Sequence, residues 1–116
     1  MNRKELGRFG EAEAATFLLR KGYTLIERNL NLRVGEIDLL MEESGDIVVV
    51  EVKTQQRATI IDPIEKINPT KMRKLWMLAE IIAAKYPRHN VRLEAVTLYW
   101  KHGSTTPTIT HHSLTA

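Results

Sequence analysis

The chain has 116 residues, of which 43% are hydrophobic and 27% charged, and its formal net charge is +3. This size predicts one domain over residues 1–116 with a sizeable core. No apolar run reaches the roughly 20 residues of a membrane span, and the start lacks the pattern of a signal peptide. Because there is no cysteine, disulfides and thiolate metal sites are excluded. We therefore expect a cytoplasmic protein, without a membrane partner, whose mild basicity permits a polyanionic partner.

Hydrophobic periodicity and turn residues predict an α/β fold in which helices flank a mixed β-sheet, in the order αβββαββ. Gly22 ends the first helix, and Asn68 followed by Pro69 is typical of the start of the second. The valine-rich third strand is predicted to be central, and both tryptophans, Trp76 and Trp100, are predicted to lie in the core. The predicted elements are a helix at 4–21, strands at 23–30, 34–42 and 47–55, a loop at 56–67, a helix at 68–85, and strands at 91–100 and 107–113.

Asp38, Glu51 and Lys53 are charged residues inside otherwise apolar predicted strands. Ionised carboxylates in such surroundings cost several kcal/mol unless they are paired or bind a metal. The turn signal at 43–46 predicts a hairpin in which the numbers of opposed residues add to 89, so that Asp38 faces Glu51. Because side chains alternate along a strand, Glu51 and Lys53 share a face. The three side chains are therefore expected to converge.

This convergence would suit a divalent metal. The Asp38 and Glu51 carboxylates and the backbone carbonyl of Val52 are hard oxygen ligands of the kind that Mg²⁺ prefers. Such a metal lowers the pKa of a bound water, and Lys53 could orient that water or neutralise charge on a phosphate. The alternative is a surface hairpin whose polar face carries a Glu–Lys pair.

The first helix carries a further candidate carboxylate. On its helical projection Glu11 falls between Leu18 and Ala15 on the apolar side, whereas Glu13 lies at the other edge of that side. Either carboxylate could join the Asp38 site if the helix packs on the sheet. The alternative is that each lies at the boundary and reaches solvent.

Basic residues near the predicted site indicate contacts with phosphates. Three of them open the second helix, where cations oppose the helix macrodipole, and three flank the site in sequence. Phosphate contacts of this kind give affinity without sequence preference. The alternative for the helix is a solvated basic face. The helix residues are Lys71, Arg73 and Lys74, and the flanking residues are Arg33, Arg57 and Lys66.

Four stretches together carry a family resemblance: residues 7–14 (G-x-x-G-E-x-x-A), 28–29 (Arg-Asn), 35–39 (Gly-Glu-Ile-Asp-Leu) and 50–53 (Val-Glu-Val-Lys). They resemble the YraN family of predicted endonucleases, within the PD-(D/E)xK superfamily that includes archaeal Holliday-junction resolvases. Lys71 and Ala79 in the second helix and Ile109-x-His111 near the end also match this family. The resemblance implies a restriction-endonuclease-like fold. It also implies metal ligation by Asp38 and Glu51, a water or phosphate contact from Lys53, and Glu11 as the helix carboxylate that helps to hold the metal.

The sequence departs from this family's pattern at three places. The family usually has Arg where Gln55 stands and a basic residue where Asn31 stands, and both departures weaken the case for a strong grip on nucleic acid. It usually has Arg-x-Asp where Arg92-Leu93-Glu94 stands, a difference that we interpret as structural.

From the residues and the resemblance we expect a Mg²⁺- or Mn²⁺-dependent endonuclease that hydrolyses DNA phosphodiester bonds at branched or otherwise structured DNA. The sequence is compatible with a homodimer. One alternative is a nucleic-acid-binding module that retains the metal-site residues without cutting. Another is an interaction protein with neither activity, which the small net charge favours.

Overall fold

The computed structural model describes residues 2–55, 67–101 and 103–115. The predicted α/β arrangement of a mixed β-sheet flanked by helices, in the order αβββαββ, is confirmed, and element boundaries agree with the prediction to within two residues. Residues 56–66, which include most of the predicted loop, lie outside the described part. The elements are α1 (Arg3–Arg20), β1 (Thr24–Leu32), β2 (Gly35–Glu43), β3 (Asp46–Gln55), α2 (Pro69–Lys85), β4 (Val91–Tyr99) and β5 (Thr108–Ser113).

The five strands form one mixed sheet in the order β1-β2-β3-β4-β5. Only the β3–β4 pairing is parallel among these strands, which is why a crossover containing α2 separates them in sequence. β3 is central, as its run of valines predicts. Among the described residues, no helix is long and apolar enough to cross a membrane.

The two helices pack on opposite faces of the sheet. Successive β3 side chains point to opposite sides, so the valines of β3 give the sheet two apolar faces to be covered. Val48 and Val50 join a buried cluster with Leu18 of α1. Val49 joins a second cluster with Ile82 of α2. Each helix thus covers one apolar face, and both approach the central strand.

Gly10 allows α1 to lie very close to β3. A Cβ atom added at Gly10 would lie 2.4 Å from the Cγ2 atom of Thr54, far inside normal contact. The missing side chain therefore permits the approach that carries Glu11, the next residue, toward the sheet. At Gly7, a second glycine of the same helix, an added Cβ atom would have nothing within 4 Å.

The β2–β3 hairpin has the predicted register from its turn as far as Leu39–Val50, but the predicted pairing of Asp38 with Glu51 does not form, because the two strands separate there. Its turn residues Ser44 and Gly45 have φ angles of 52° and 83°, as in a type I′ turn, and Glu43 faces Asp46. Antiparallel pairing continues to Leu39–Val50. Beyond that pair, β2 remains paired with β1 to Gly35, and β3 remains paired with β4 to Gln55. We call the region between residues 36–38 of β2 and 51–53 of β3 the strand fork.

A polar cluster centred on Arg92 joins β2, β3 and β4. Arg92 pairs with Val48, four residues along β3 from Val52, which at the rise of a strand is about 13 Å from the fork. The guanidinium lies 2.8 Å from Glu43 Oε1, 2.9 Å from Asp46 Oδ2 and 3.1 Å from Glu94 Oε2. Glu94 is 7% exposed, and its other oxygen lies 2.7 Å from the Tyr23 hydroxyl and 2.7 Å from His111 Nε2. These contacts agree with a structural role for the Arg92–Glu94 segment.

Candidate functional site

Three carboxylates converge at the strand fork. Glu11 comes from α1, while Glu36 and Asp38 come from β2, and one oxygen from each lies within 4.8 Å of the others. Glu36 is absent from the site predicted from the sequence. The sequence does contain a signal for Glu36: it lies two residues before Asp38 in a predicted strand, and side chains two residues apart point to the same face.

Asp38 is held at the centre of the fork. Its Oδ2 accepts a hydrogen bond from the backbone N–H of Val52 at 2.8 Å. Burial, followed by the nearby Glu51 carboxylate, raises the pKa of Asp38 to about 7, although the Val52 hydrogen bond acts in the opposite direction. The groups around the fork therefore do not fully stabilise an ionised Asp38 beside Glu51 near neutral pH.

Asn29 on β1 bridges two of the converging carboxylates. With its amide oriented to satisfy both neighbours, the side-chain nitrogen lies 2.9 Å from Glu11 Oε1 and 3.2 Å from Glu36 Oε1. Burial raises the pKa of Glu11, the Asn29 hydrogen bond lowers it, and the Glu36 carboxylate raises it again. A neutral donor thus fixes two carboxylates in place without neutralising their charge.

Glu51 lies beside this group and is paired with two ammonium groups. Its side chain is only 6% exposed, and its Oε1 lies 3.6 Å from Lys53 Nζ and 3.2 Å from Lys71 Nζ. Lys53 comes from the same face of β3, as alternation predicts. Lys71, which we predicted to contact phosphates, reaches Glu51 from the first turn of α2.

A cavity of about 170 Å³ lies between the strand fork and the start of α2. Asn68 caps this helix by accepting a hydrogen bond from the backbone N–H of Lys71 at 2.9 Å. The N-terminal turn, with its partial positive charge, therefore faces the acidic fork. The cavity is lined by Gly35, Glu36, Asp38, Glu51, Lys71, Lys74, Leu75 and Leu78.

The other predicted basic residues have different surroundings. Arg33 is exposed in the turn before Gly35, which lines the cavity. Arg73 is exposed, and its guanidinium donates to Thr70 Oγ1 at 3.3 Å. Arg57 and Lys66 lie outside the described residues. The structure thus brings Lys71 to Glu51 and Lys74 to the wall of the same cavity, whereas Arg33 is near them in sequence only, two residues before Gly35.

The arrangement combines hard oxygen donors with ammonium groups in one partly enclosed space. Carboxylate oxygens suit Mg²⁺ and Mn²⁺ among the common metals, because these hard cations prefer oxygen ligands. Ammonium groups and a helix N-terminus suit a phosphate. A site of this composition can bind a divalent cation and a phosphate ester next to each other.

Comparisons with known proteins identify relatives along most of the chain. A family model described as "Uncharacterised protein family UPF0102" matches residues 10–98. A UPF0102 protein of Clavibacter michiganensis is 41% identical over 102 residues, covering 86% of each chain. One of Thermus thermophilus is 45% identical over 93 residues, covering 80% of this chain and 82% of the relative. Among solved structures, a chain of the "Structure of EndoMS-dsDNA2 complex" is 25% identical with a TM-score of 0.47, covering 72% of this chain and 34% of that one.

Proposed function

The chain belongs to the uncharacterised protein family UPF0102, and from this premise we propose that it is a Mg²⁺- or Mn²⁺-dependent endonuclease that hydrolyses DNA phosphodiester bonds. The observation that carries the proposal is the convergence of Glu11, Glu36 and Asp38 within 4.8 Å at the strand fork, where Glu36 is exposed and the other two are half-buried. Clustered carboxylates in such a place repel one another unless a cation or protons neutralise them. The raised pKa of Asp38 reflects burial first, then repulsion by the Glu51 carboxylate and, more weakly, by Glu11.

The residues at the fork fit a divalent metal. Asp38, Glu51 and Glu11 would hold the ion, with Glu36 as a further carboxylate in reach. Val52 would add its carbonyl, because the N–H and C=O of one residue point to the same side of a strand and its N–H already faces Asp38. A bound ion would supply Lewis acidity, which activates water and stabilises charge on the phosphoryl oxygens.

The lysines would act on the water and the phosphate. Lys53 lies on the same face as Glu51, with its ammonium 3.6 Å from that carboxylate and 30% of its side chain exposed. From there it can orient the attacking water or offset charge that develops on the phosphate. Lys74 and the N-terminal turn of α2 would hold a phosphate oxygen at the cavity.

The proposed substrate is branched or otherwise structured DNA, a choice that rests on the sequence resemblance to Holliday-junction resolvases. Beyond the cavity, backbone phosphates would be held by the basic residues nearby. Contacts with phosphates position the duplex and carry no sequence information, so we expect structure-dependent rather than sequence-dependent cutting. The residues proposed for these contacts are Arg33, Arg57, Lys66, Lys71, Arg73 and Lys74.

A cleavage assay tests this proposal. Labelled four-way, fork, flap and single-stranded DNAs should be incubated with the protein and Mn²⁺ or Mg²⁺, with EDTA as the metal-free control. Asp38→Asn should lose cleavage, since asparagine keeps an oxygen for the Val52 N–H but supplies no charge to a metal. Glu80→Gln, an equivalent change at an exposed site on α2, should cut like wild type, which also controls for contaminating nucleases.

The same assay distinguishes a nucleic-acid-binding module that does not cut. Such a module would shift the mobility of these DNAs in a gel and leave every strand intact with either metal. Cleavage that is equal in wild type and in Asp38→Asn would mean that the activity comes from elsewhere, and the proposed active site would then be wrong.

A further inference from the structure

Lys71 is the closer of the two ammonium groups that contact Glu51 among the described residues. Its Nζ lies 3.2 Å from Oε1, compared with 3.6 Å for Lys53, and both ammonium groups are directed at the same oxygen. Lys53 and Glu51 belong to one strand, so their pairing is local. Lys71 belongs to α2, and its pairing with Glu51 joins that helix to the sheet.

We propose that Lys71 is a tethered counter-ion, which neutralises Glu51 before a divalent cation binds and releases it when the cation binds. This inference rests on the metal site of the proposed function. Mg²⁺ holds its oxygen ligands at about 2.0–2.1 Å. A divalent ion at that distance and an ammonium on the same carboxylate oxygen would repel each other strongly, so Lys71 and the ion compete for Glu51.

The geometry allows Lys71 to leave Glu51 without unfolding α2. Its backbone is held by the Asn68 cap, while 35% of its side chain is exposed and the ammonium ends a flexible stem beside the cavity. A released ammonium would remain in that cavity together with Lys74. Two ammonium groups at a helix N-terminus attract a phosphate. Lys71 would thus exchange a carboxylate partner for a substrate phosphate, so that cation and DNA assist each other's binding.

Calorimetric titration of the metal-free protein with Mn²⁺ alone tests the proposal. We expect Lys71→Met to bind Mn²⁺ about fivefold more tightly than wild type, the size of effect that loss of one partly exposed ion pair has on an equilibrium constant. Lys71→Arg keeps the charge and should bind Mn²⁺ like wild type. Lys74→Met, which removes the other lysine of the cavity wall, is the matched control and should have a smaller effect.

The Mn²⁺ affinity separates competition from a purely structural role. Replacing Lys71 should lower the metal-free melting temperature in both cases, because Glu51 loses an ion-pair partner, but a purely structural lysine would leave Mn²⁺ affinity unchanged or weakened. Equal or weaker affinity in Lys71→Met, with binding retained in wild type, overturns this inference and leaves the proposed function standing. If wild type and all variants fail to bind Mn²⁺, the metal site itself is wrong, and the proposed function fails with it.

A measurement on the wild-type protein covers the case in which Lys71→Met does not fold. An ammonium in an ion pair is shielded by its partner, so it reacts slowly with amine-modifying reagents. Reductive methylation followed by mass spectrometry should find that Lys71 reacts faster when Mg²⁺ is present. Lys85, at the far end of α2, serves as the internal reference and should not change. A Lys71 rate that Mg²⁺ leaves unchanged or lowers contradicts the proposal.

Discussion

The carboxylate of Asp38 accepts the backbone N–H of Val52 at 2.8 Å, beyond the last pair of the β2–β3 ladder. A side chain of one strand thus satisfies a donor of the other at the point where the strands separate. The bond fixes the orientation of Asp38 and satisfies a group that would be costly to bury unpaired. Asp38→Asn therefore tests the charge alone, because asparagine retains an acceptor for the Val52 N–H, whereas Asp38→Ala would also remove the hydrogen bond.

Asp38→Asn should increase stability in the absence of metal, and increasingly so as the pH rises. Burial and the Glu51 carboxylate raise the pKa of Asp38 from 3.8 to about 7 in the folded protein. When the pKa of an acid is higher in the folded than in the unfolded protein, its contribution to stability is fully present at pH values below the unfolded-state pKa. That contribution is lost as the pH rises through the folded-state pKa. Asparagine has no such dependence.

Thermal melts in EDTA at several pH values measure this difference. The advantage of Asp38→Asn in melting temperature should be small near about pH 4, grow up to about pH 7, and then level off. Mn²⁺ should reverse the order, because an ion that binds only the folded wild type stabilises it by mass action. A constant difference between the proteins across this pH range would contradict the assigned electrostatics.

Gly10→Ala should destabilise the protein by about 1–3 kcal/mol, the usual cost of overpacking. The new methyl group would lie 2.4 Å from Thr54 Cγ2 and 3.3 Å from its Cβ, so Thr54 must turn away or α1 must shift from β3, and a shift of α1 carries Glu11 with it. Chemical denaturation gives the free energy of unfolding, and Mn²⁺ affinity should fall in parallel. Adding Thr54→Ala removes the two closest atoms and should recover part of both losses.

Gly7→Ala is the matched control on the same helix. With nothing within 4 Å of the added Cβ, it should stabilise the fold by roughly 0.5–1 kcal/mol through better helix propensity. A loss of stability in Gly7→Ala similar to that in Gly10→Ala would mean that the contact with Thr54 does not decide the result.

Arg92→Met should cost about 3 kcal/mol of stability, because it leaves the buried Glu94 carboxylate without its guanidinium partner. Since the Arg92 cluster lies at the other end of β3 from the fork, Mn²⁺ affinity measured on the folded variant should not change. Arg88→Met, at an exposed arginine before β4, should stay within about 0.5 kcal/mol of wild type. Reduced metal affinity in folded Arg92→Met would show that the two ends of the strand are coupled.

Combining Arg33→Ala with Lys74→Ala should weaken DNA binding and flatten its salt dependence. Lys74 lines the cavity, and the exposed Arg33 lies two residues before Gly35, another lining residue. Each lost phosphate contact lowers the slope of log K against log salt by about 0.9 for duplex DNA. Fluorescence anisotropy at several salt concentrations measures it. Lys85→Ala is the control and should leave the slope unchanged. If the double variant had the wild-type slope, the DNA-binding surface would have to lie elsewhere on the molecule.

Local signals made the fold predictable from the sequence. Ser44-Gly45 supplies two positive-φ positions, and this two-residue turn sets the register of the hairpin. Asn68 and Pro69 mark the start of α2 for equally local reasons. The expected resemblance to the YraN family is confirmed by the UPF0102 match over residues 10–98.

The parts of the site that were not predicted depend on distant elements meeting. The contact of Asn29 with Glu11 and Glu36 needs α1, β1 and β2 in their final positions. Pairing of Lys71 with Glu51 needs the crossover that places α2 against the sheet. No pattern along a single element contains this information.

The core prediction for Trp76 is wrong. Its side chain is 47% exposed, while its neighbour Leu75 is buried. A helix that packs on one face of a sheet buries one stripe, and Leu75 and Leu78 occupy it on either side of Trp76 in sequence. Residue type had suggested burial, and position on the helix decided against it. Trp100 does pack against the α1-side cluster, as predicted.

The pairing order of the strands has a consequence for how the chain folds. β2 and β3 are joined by a two-residue turn, whereas the parallel β3–β4 pairing must wait for the long crossover that includes α2. Asp38 and Glu51 can therefore meet before Lys71 arrives to offset their charge. In stopped-flow refolding without metal, added salt should speed the folding of wild type by screening this early repulsion, and should speed Asp38→Asn less.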